Sequence, residues 1–553
     1  MNKFRDIDKK QKIFSRLSPL DLRTISTGMG LAMLAAGFAE ALFLMFVVAL
    51  DILPFKYLLL LIIAFLIVDC LTLFLANGHK NRKTKSIAAL VVVVLLLNLL
   101  LMGDFYVYST YDTLKKISAE RDTWEYYDVM TSLDSPYESV SDIVGKEVAV
   151  VDMESKQLTE ARERLVTKAN VSYEEKNSIV TVAQTIYATA DGELTDKKSE
   201  DNSSQDSNTT ETTVDAQSVD EKTDGNSEES SDKSENIILL ADSQRQVANS
   251  NIEGFKENTK ILYKIKVKKR ADDNSKRVDV TKDSFNILIS GLDSWGTIDE
   301  DGLTDVNMIM TVNPVSREIL LTSIPRDSYV PLHSYGAKDK LTHSAIYGQE
   351  ETKQTIEDFL GIDINYSIRV NFSTFCDVID AVGGVDVYND IDFHSSVKGW
   401  HYKEGWLRDM YGHYALWFAR ERKSFTEGDM KRNENQQKVL AALLKKTTSS
   451  KVILTRYTSI LDAIEDELQT DLTDSDMKRL VRMQLGDMQK WKIKKVNIVG
   501  STGGAPCFSM GGQNLSCVFP NEESVEKAKK SIHDVMYPGE NVNTEETTTP
   551  TNQ

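Results

Sequence analysis

Residues 285–327 read FNILISGLDSWGTIDEDGLTDVNMIMTVNPVSREILLTSIPRD, and their pattern decides the fold. The opening FNILIS (285–290) is short, continuous and apolar, as expected of a strand buried on both faces. VNMIMTVN (306–313) and EILLTSI (318–324) are two more strand candidates, and Pro314, Val315, Ser316 and Arg317 between them close a hairpin. Further on, 352–360 reads as a helix ended by Gly361, 368–372 as a strand, and 373–382 as a helix stopped by Gly383 and Gly384. A strand is expected at 414–422, a long helix at 431–446 and a late strand at 496–500. Strands alternating with helices call for an α/β or α+β sandwich with helices over a sheet. This domain is placed at 280–538, with a polar, disordered tail at 539–553.

Upstream, 105–270 mixes strand-like and helix-like pieces and is read as a small α+β accessory domain. EVAVV (147–151), SIVTVAQTIY (178–187) and ILYKIKVKK (261–269) are its expected strands, and 156–167 a charged helix. The tract 195–236 holds thirteen acids and four lysines, so its net of -9 is half the -18 of the whole 553-residue chain. Its only apolar residues are Val214, Ala216 and Val219, too few to offset ordering entropy, and it is read as a disordered insertion.

Three apolar runs precede this domain, at 25–50, 57–75 and 87–102. A helix needs about 20 apolar residues to cross a bilayer, so each is a transmembrane candidate. Lys3, Arg5, Lys9, Lys10, Lys12, Arg16 and Arg23 precede the first run, and Lys80, Arg82, Lys83 and Lys85 crowd the second link. The first link offers only Lys56. The positive-inside rule therefore puts residues 1–24 and the second link in the cytoplasm, spans across 25–104, and everything after about Asp104 outside. The reading is a multi-pass protein of the cell membrane. Glu40 and Asp69 lie within the first two runs, each expected to face a neighbouring helix or to sit protonated.

With 65 Lys and Arg against 83 Asp and Glu, nucleic acid is disfavoured as a partner. Four scattered cysteines exclude a disulfide-stapled scaffold and a zinc ribbon. Cys507 and Cys517, ten apart in a Gly-rich stretch on the predicted outer side, are better read as a bridge than as two thiols. Cys70 and Cys376 are read as packing residues. His333, His343, His394, His401 and His413 lack metal-ligand spacing and are read as core or surface groups.

Arginines and aspartates converge on strand ends. Asp293 follows the first strand in GLDSW, Asp305 precedes the second, and Arg326 and Asp327 follow the third in SIPRD. Arg420 and Arg422, two apart on the expected strand, would share a face. Asp429, Arg432 and Gln436 at i, i+3 and i+7 share a face where a helix begins. Any one could be an ordinary surface ion pair. Together, several guanidiniums beside carboxylates suit a site that grips phosphate oxygens and holds a hard cation.

The same stretches, GLDSW, LTDVNMIMTVNP, TSIPRDSYVPL, DAVGGVDV and ARERKSFTEGDMKRNENQQKV in that order, resemble the motifs of the LytR-CpsA-Psr family over about 285–446. Three membrane helices and an outer accessory domain add a likeness to its CpsA-type capsule members. The resemblance implies an α/β catalytic domain whose central sheet is flanked by helices and buries a polyprenyl chain. It implies Mg²⁺-assisted transfer (Mn²⁺ as the alternative ion) of a capsular or other cell-wall glycan, as a phospho-linked unit, from polyprenyl pyrophosphate to peptidoglycan. Capsule-synthesis membrane proteins are further candidate partners. By motif, Asp293 and Asp305 resemble the metal carboxylates, and Arg326, Arg420 and Arg422 the pyrophosphate clamps. Arg432 and Gln436 would steady the head group, Asp429 would orient an arginine or the acceptor, and Asp327 is the other acid of SIPRD. Leu303, Trp295 and Asn435 stand where typical members carry arginine, so the site is less cationic; Arg408 is a candidate to make up the charge. Two other functions fit the same site: a non-catalytic sensor or regulator of capsule synthesis that binds the lipid-linked precursor, and a pyrophosphatase that uses water as acceptor.

Overall fold

A computed structural model describes residues 19–76, 82–118, 123–153, 155–187, 236–269, 276–292, 304–449, 452, 456, 459–460, 462–463 and 468–539. The acidic insertion up to residue 235, the tail from 540 and the first eighteen residues lie outside them.

The chain begins with helices α1 (Pro19–Leu50), α2 (Phe55–Ala76) and α3 (Arg82–Ser118). Each contains a segment long and apolar enough to cross a membrane: Gly30–Leu50, Phe55–Leu75 and Ile87–Thr113. Glu40 of α1 meets Asp69 of α2 through a side-chain hydrogen bond, so these carboxyls face neighbouring helices.

The accessory domain comprises β1 (Thr123–Ser132), β2 (Glu147–Val151), α4 (Lys156–Ala169), β3 (Ser172–Lys176), α5 (Ile179–Tyr187), β4 (Ile237–Ala241), α6 (Asp242–Asn251) and β5 (Thr259–Lys269). Its sheet runs β3-β2-β4-β1-β5, with α4 on one face and α5 and α6 on the other. Residues 178–187, expected as a strand, are helical from Ile179. Ile179, Val182, Ala183 and Ile186 are all buried, a spacing of three and four that only a helix puts on one face. Ser178 starts the turn by accepting from Thr181 N–H at 3.2 Å.

The second domain holds β6 (Phe285–Leu292), β7 (Thr304–Asn313), β8 (Glu318–Ile324), β9 (Tyr329–Pro331), β10 (Lys338–Lys340), α7 (Gln349–Leu360), β11 (Tyr366–Val370) and α8 (Phe372–Ala381). It continues through β12 (Val385–Asn389), β13 (Phe393–His394), β14 (His401–Tyr402), β15 (Gly405–Met410), α9 (Gly412–Arg420) and α10 (Asp429–Thr447). It ends with β16 (Gln469–Thr470), α11 (Asp474–Asp487), β17 (Lys492–Asn497), β18 (Gly500–Cys507), β19 (Gln513–Pro520) and α12 (Glu522–Met536). The main sheet has the order β16-β11-β6-β7-β8-β17. Strands β6, β7 and β8 are antiparallel, whereas β11 runs parallel to β6 and β17 parallel to β8.

Period-two alternation makes this sheet two-sided. Leu288, Ile309, Leu320 and Ile324 pack under α7 and α12 through Ile356, Leu360, Val525 and Ile532. Ile287, Met308, Met310, Ile319 and Leu321 face Leu440 and Leu444 of α10 and Met477 and Leu480 of α11. The result is the expected α/β domain with a central sheet flanked by helices. The expected strand 414–422 is helix α9 followed by an extended link. Ala415, Leu416, Phe418 and Ala419 are buried in it, again at helical spacing.

Candidate functional site

The carboxyl ends of β6, β8, β11 and β17 and the start of β7 share one edge of the main sheet. Open sheets gather ligands at such carboxyl ends. Asp305 is the second residue of β7, and Arg326 and Asp327 directly follow β8. The Arg326 guanidinium pairs with the Asp305 carboxylate, and its Nε lies 3.6 Å from Asp327 Oδ2. Lys340 Nζ sits 3.5 Å from Asp327 Oδ1. The loop is pinned by its backbone: Thr342 N–H donates to Arg326 C=O and Val518 N–H to Asp327 C=O, each at 2.8 Å.

Helix α10 brings the second half of the site. It starts at Asp429 after Gly428, whose φ of 52° lies in the left-handed region that glycine adopts freely. Asp429 in the first turn complements the positive end of the helix dipole. One turn on, Arg432 Nη2 lies 2.8 Å from Asp429 Oδ1, and Gln436 follows on the same face. Gln437, beside them, ties the helix to the sheet by donating to Leu321 C=O at 3.1 Å and Val496 C=O at 2.8 Å.

Burial works against the charge on Arg326, but Asp305, Asp327 and Asp429 prevail and hold its proton more tightly than usual for arginine. Arg432 goes the other way: burial lowers its pKa, Asp429 opposes, and the positive Arg326 and Arg422 lower it further. Several buried atoms here have no hydrogen-bond partner, namely both Asp429 carboxylate oxygens, Arg432 Nε and Nη2, Arg326 Nε and Gln436 Oε1. The 2.8 Å Asp429–Arg432 approach is thus an ion pair off the hydrogen-bond direction. Such unsatisfied buried groups are rare in folded proteins and concentrate where a ligand binds.

The structure therefore brings together Asp305, Arg326, Asp327, Asp429, Arg432 and Gln436, with Arg422 close enough to repel Arg432. Asp293 lies outside the described residues, as do Trp295 and Leu303. Arg420 and Arg422 do not share a strand face. Arg420 ends helix α9, and its guanidinium stacks over the Phe372 ring at 4.1 Å, just past the carboxyl end of β11. Glu421 between them turns inward, accepting from Ser396 N–H at 2.7 Å and Ser424 N–H at 3.1 Å. Burial would raise the Glu421 pKa, but these donors hold it below the usual value. Arg422 remains exposed. Arg408 does not make up the missing charge, because it pairs with Asp386 at 2.9 Å and stacks over Trp406 on β15. Lys340 escaped the sequence reading; a lysine in KDKLTHS carries no spacing signal, and only the fold sets it against Asp327.

Cys376 is buried, as expected of a packing residue. Among the described residues, three metal-ligating side chains approach within 4.8 Å of one another at Asp339, His343 and Cys507, all buried. The sulfurs of Cys507 and Cys517 lie 3.7 Å apart, near each other but beyond bonding distance.

Residues 245–534 match the family model described as the LytR_cpsA_psr family. A protein of Bacillus mycoides named polyisoprenyl-teichoic acid–peptidoglycan teichoic acid transferase TagU is 36% identical over 42% of this chain and 73% of its own length. The protein of that name in Bacillus anthracis is 38% identical over 37% of this chain and 63% of its own. The crystal structure of B. subtilis TagV is 30% identical, covers 46% of this chain and 98% of its own, and aligns with a TM-score of 0.39.

Proposed function

Because this chain belongs to the LytR-CpsA-Psr family, we propose that it transfers a cell-wall glycan, as a phospho-linked unit, from polyprenyl pyrophosphate to peptidoglycan on the outer face of the membrane. The observation that carries the reading is the set of buried Arg432 and half-buried Asp305, Arg326 and Asp429, with buried polar atoms left for a ligand to satisfy. Guanidiniums in that setting suit phosphate oxygens, which they meet in a planar fork. The relatives' printed names, teichoic acid transferases acting on peptidoglycan, support the donor and acceptor classes. A capsular glycan is the proposed cargo, because three apolar helices and an accessory domain precede the catalytic domain, an arrangement that resembles CpsA-type members.

The donor set fits a hard divalent cation, since its ligating atoms are all oxygens, those of the Asp305 and Asp429 carboxylates and Gln436 Oε1. Asp305, joined by Asp293 of the preceding motif, would hold Mg²⁺, which when bound neutralises charge on phosphate oxygens. The chain's own residues do the rest. Arg326 and Arg432 bind and orient the diphosphate, Arg420 and Arg422 close on it from the α9 end, and Asp429 fixes Arg432. A hydroxyl of the acceptor then attacks the sugar-proximal phosphorus; the new O–P bond forms as the bridging P–O bond breaks and polyprenyl phosphate leaves. Positioning and charge stabilisation supply the catalysis.

The outward orientation draws support from the first link. Asp51 pairs with Arg482, and Lys56 donates to Gly486 C=O, so this link and the catalytic domain lie at one end of the helices. The cation-rich second link belongs to the other end. Incubating the full chain in detergent with a polyprenyl-pyrophosphate glycan, Mg²⁺ and peptidoglycan oligomers tests the proposal. A covalent conjugate is expected. Free phospho-glycan alone would establish a pyrophosphatase, and tight binding with neither product a sensor.

A further inference from the structure

We propose that Cys507 and Cys517 form a disulfide that braces the loop carrying Arg326 and Asp327. The pairing rests on geometry, and its oxidation also rests on the outward orientation proposed above. Cys507 ends β18 and Cys517 lies within β19, and the hairpin register sets Cys507 against Gln513 and Cys517 against Gly503. Although not directly opposed, the two side chains turn toward each other, with sulfurs 3.7 Å apart and both fully buried. The two residues are four apart in register, so closing the gap to the bond length of about 2.05 Å takes a shift of the hairpin backbone as well as rotation of the side chains.

The place of the pair gives the bond a purpose. On one side the hairpin is part of the accessory domain's core, where Cys507, Cys517, Ala505 and Met510 pack with Val182, Ile238 and Phe255. On the other side it holds the arginine loop. Val518, next to Cys517, donates its N–H to Asp327 C=O at 2.8 Å and forms a bridge with Ser328. Tyr329 Oη donates to Pro506 C=O at 2.7 Å, one residue from Cys507. A crosslink here fixes the hairpin that sets the height of Arg326 and Asp327 above the sheet.

Metal binding by Asp339, His343 and Cys507 is the weaker reading of the same cluster. The Asp339 carboxylate is already engaged by His343 Nδ1, Lys340 N–H and Ser509 N–H, each at 2.7 Å. In forming the bridge the two thiols lose two protons and two electrons. A dithiol–disulfide oxidoreductase takes them up as its own disulfide opens to two thiols. Oxidation precedes the packing of the hairpin, because both sulfurs are inaccessible afterwards.

The test uses the full chain extracted from membranes, alkylated in denaturant without reductant, digested with trypsin and weighed. Both cysteines fall in the tryptic segment 496–527. The bridge predicts this segment unlabelled and two hydrogens lighter than the dithiol, and doubly labelled after reduction; double labelling without reduction overturns it. A Glu523→Cys variant, at an exposed position of α12, treated on intact cells with a membrane-impermeant maleimide, reports orientation separately. A labelled introduced thiol beside a free Cys507–Cys517 pair sinks the bridge alone, whereas an unlabelled one sinks the orientation. For the bracing, a Cys507→Ser/Cys517→Ser variant that melts as a folded protein should show a raised KM for the lipid-linked donor. A wild-type KM in that variant overturns the bracing.

Discussion

Arg326 and Arg432 sit in one partly buried pocket of charge yet feel opposite fields. Three carboxylates surround Arg326, while burial and two neighbouring guanidiniums press on Arg432. A dianionic ligand relieves that pressure, so Arg432 gains most from diphosphate. Replacing Arg326 by Lys keeps a charge but loses the fork, and transfer should fall about a hundredfold. Arg420→Ala and Arg422→Ala should each lose a comparable factor in the conjugate assay, and wild-type rates from both would remove them from the clamp. A structural cluster titrates nearby. Burial would raise the Asp390 pKa, but Lys431, at 2.6 Å, and Lys438 hold it down at about 2. A depressed carboxyl pKa stabilises the fold above the unfolded value of about 4, and that contribution disappears as pH falls through the folded value. Melting curves should therefore show wild type more stable than Asp390→Asn at neutral pH, with the gap closing between about pH 4 and pH 2.

At the scale of elements, α9 carries Arg420 to the sheet edge by lying close on α8. A Cβ at Gly412 would sit 2.5 Å from Cys376 Cα. Gly412→Ala should destabilise the domain by about 1–3 kcal/mol in denaturant titration and lower transfer with it. The strands of 285–324 were legible in the sequence because continuous or alternating apolar runs bounded by turn residues have few other readings. The helix at Asp429 was legible from its i, i+3, i+7 polar residues, Asp429, Arg432 and Gln436. Residues 178–187 misled because β-branched residues dominate them, and 414–422 because Tyr414, Trp417 and Phe418 suit a strand; their buried positions fall at three and four, a period hidden by apolar residues on the other face. The convergence of Asp305, Arg326 and Arg432 was readable from motifs at strand ends. The roles of Lys340 and Glu421 were not, since their partners Asp327 and Ser396 meet them only through loops.

Across the whole molecule, the link between α1 and α2 docks on α11. Ile52 and Leu485 are buried together among Leu50, Tyr57 and Val481, and Lys478 lies 5.4 Å from the centre of the Tyr111 ring of α3. Met477 belongs both to this patch and to the apolar layer under the sheet, so greasy side chains run unbroken from the membrane helices to the catalytic domain. This docking should serve lipid delivery. Leu485→Asp should lower transfer from a long-chain donor in vesicles about tenfold by loosening the domain's position, while a short-chain soluble donor reacts as before. Equal losses with both donors would make the patch purely structural. The central claim, that a partly buried arginine–carboxylate cluster moves a glycan from diphosphate to peptidoglycan, is tested most directly by the conjugate assay on an Arg432→Gln variant that melts like wild type. The account predicts a loss of about a hundredfold or more in conjugate formed. Conjugate at the wild-type rate would contradict it.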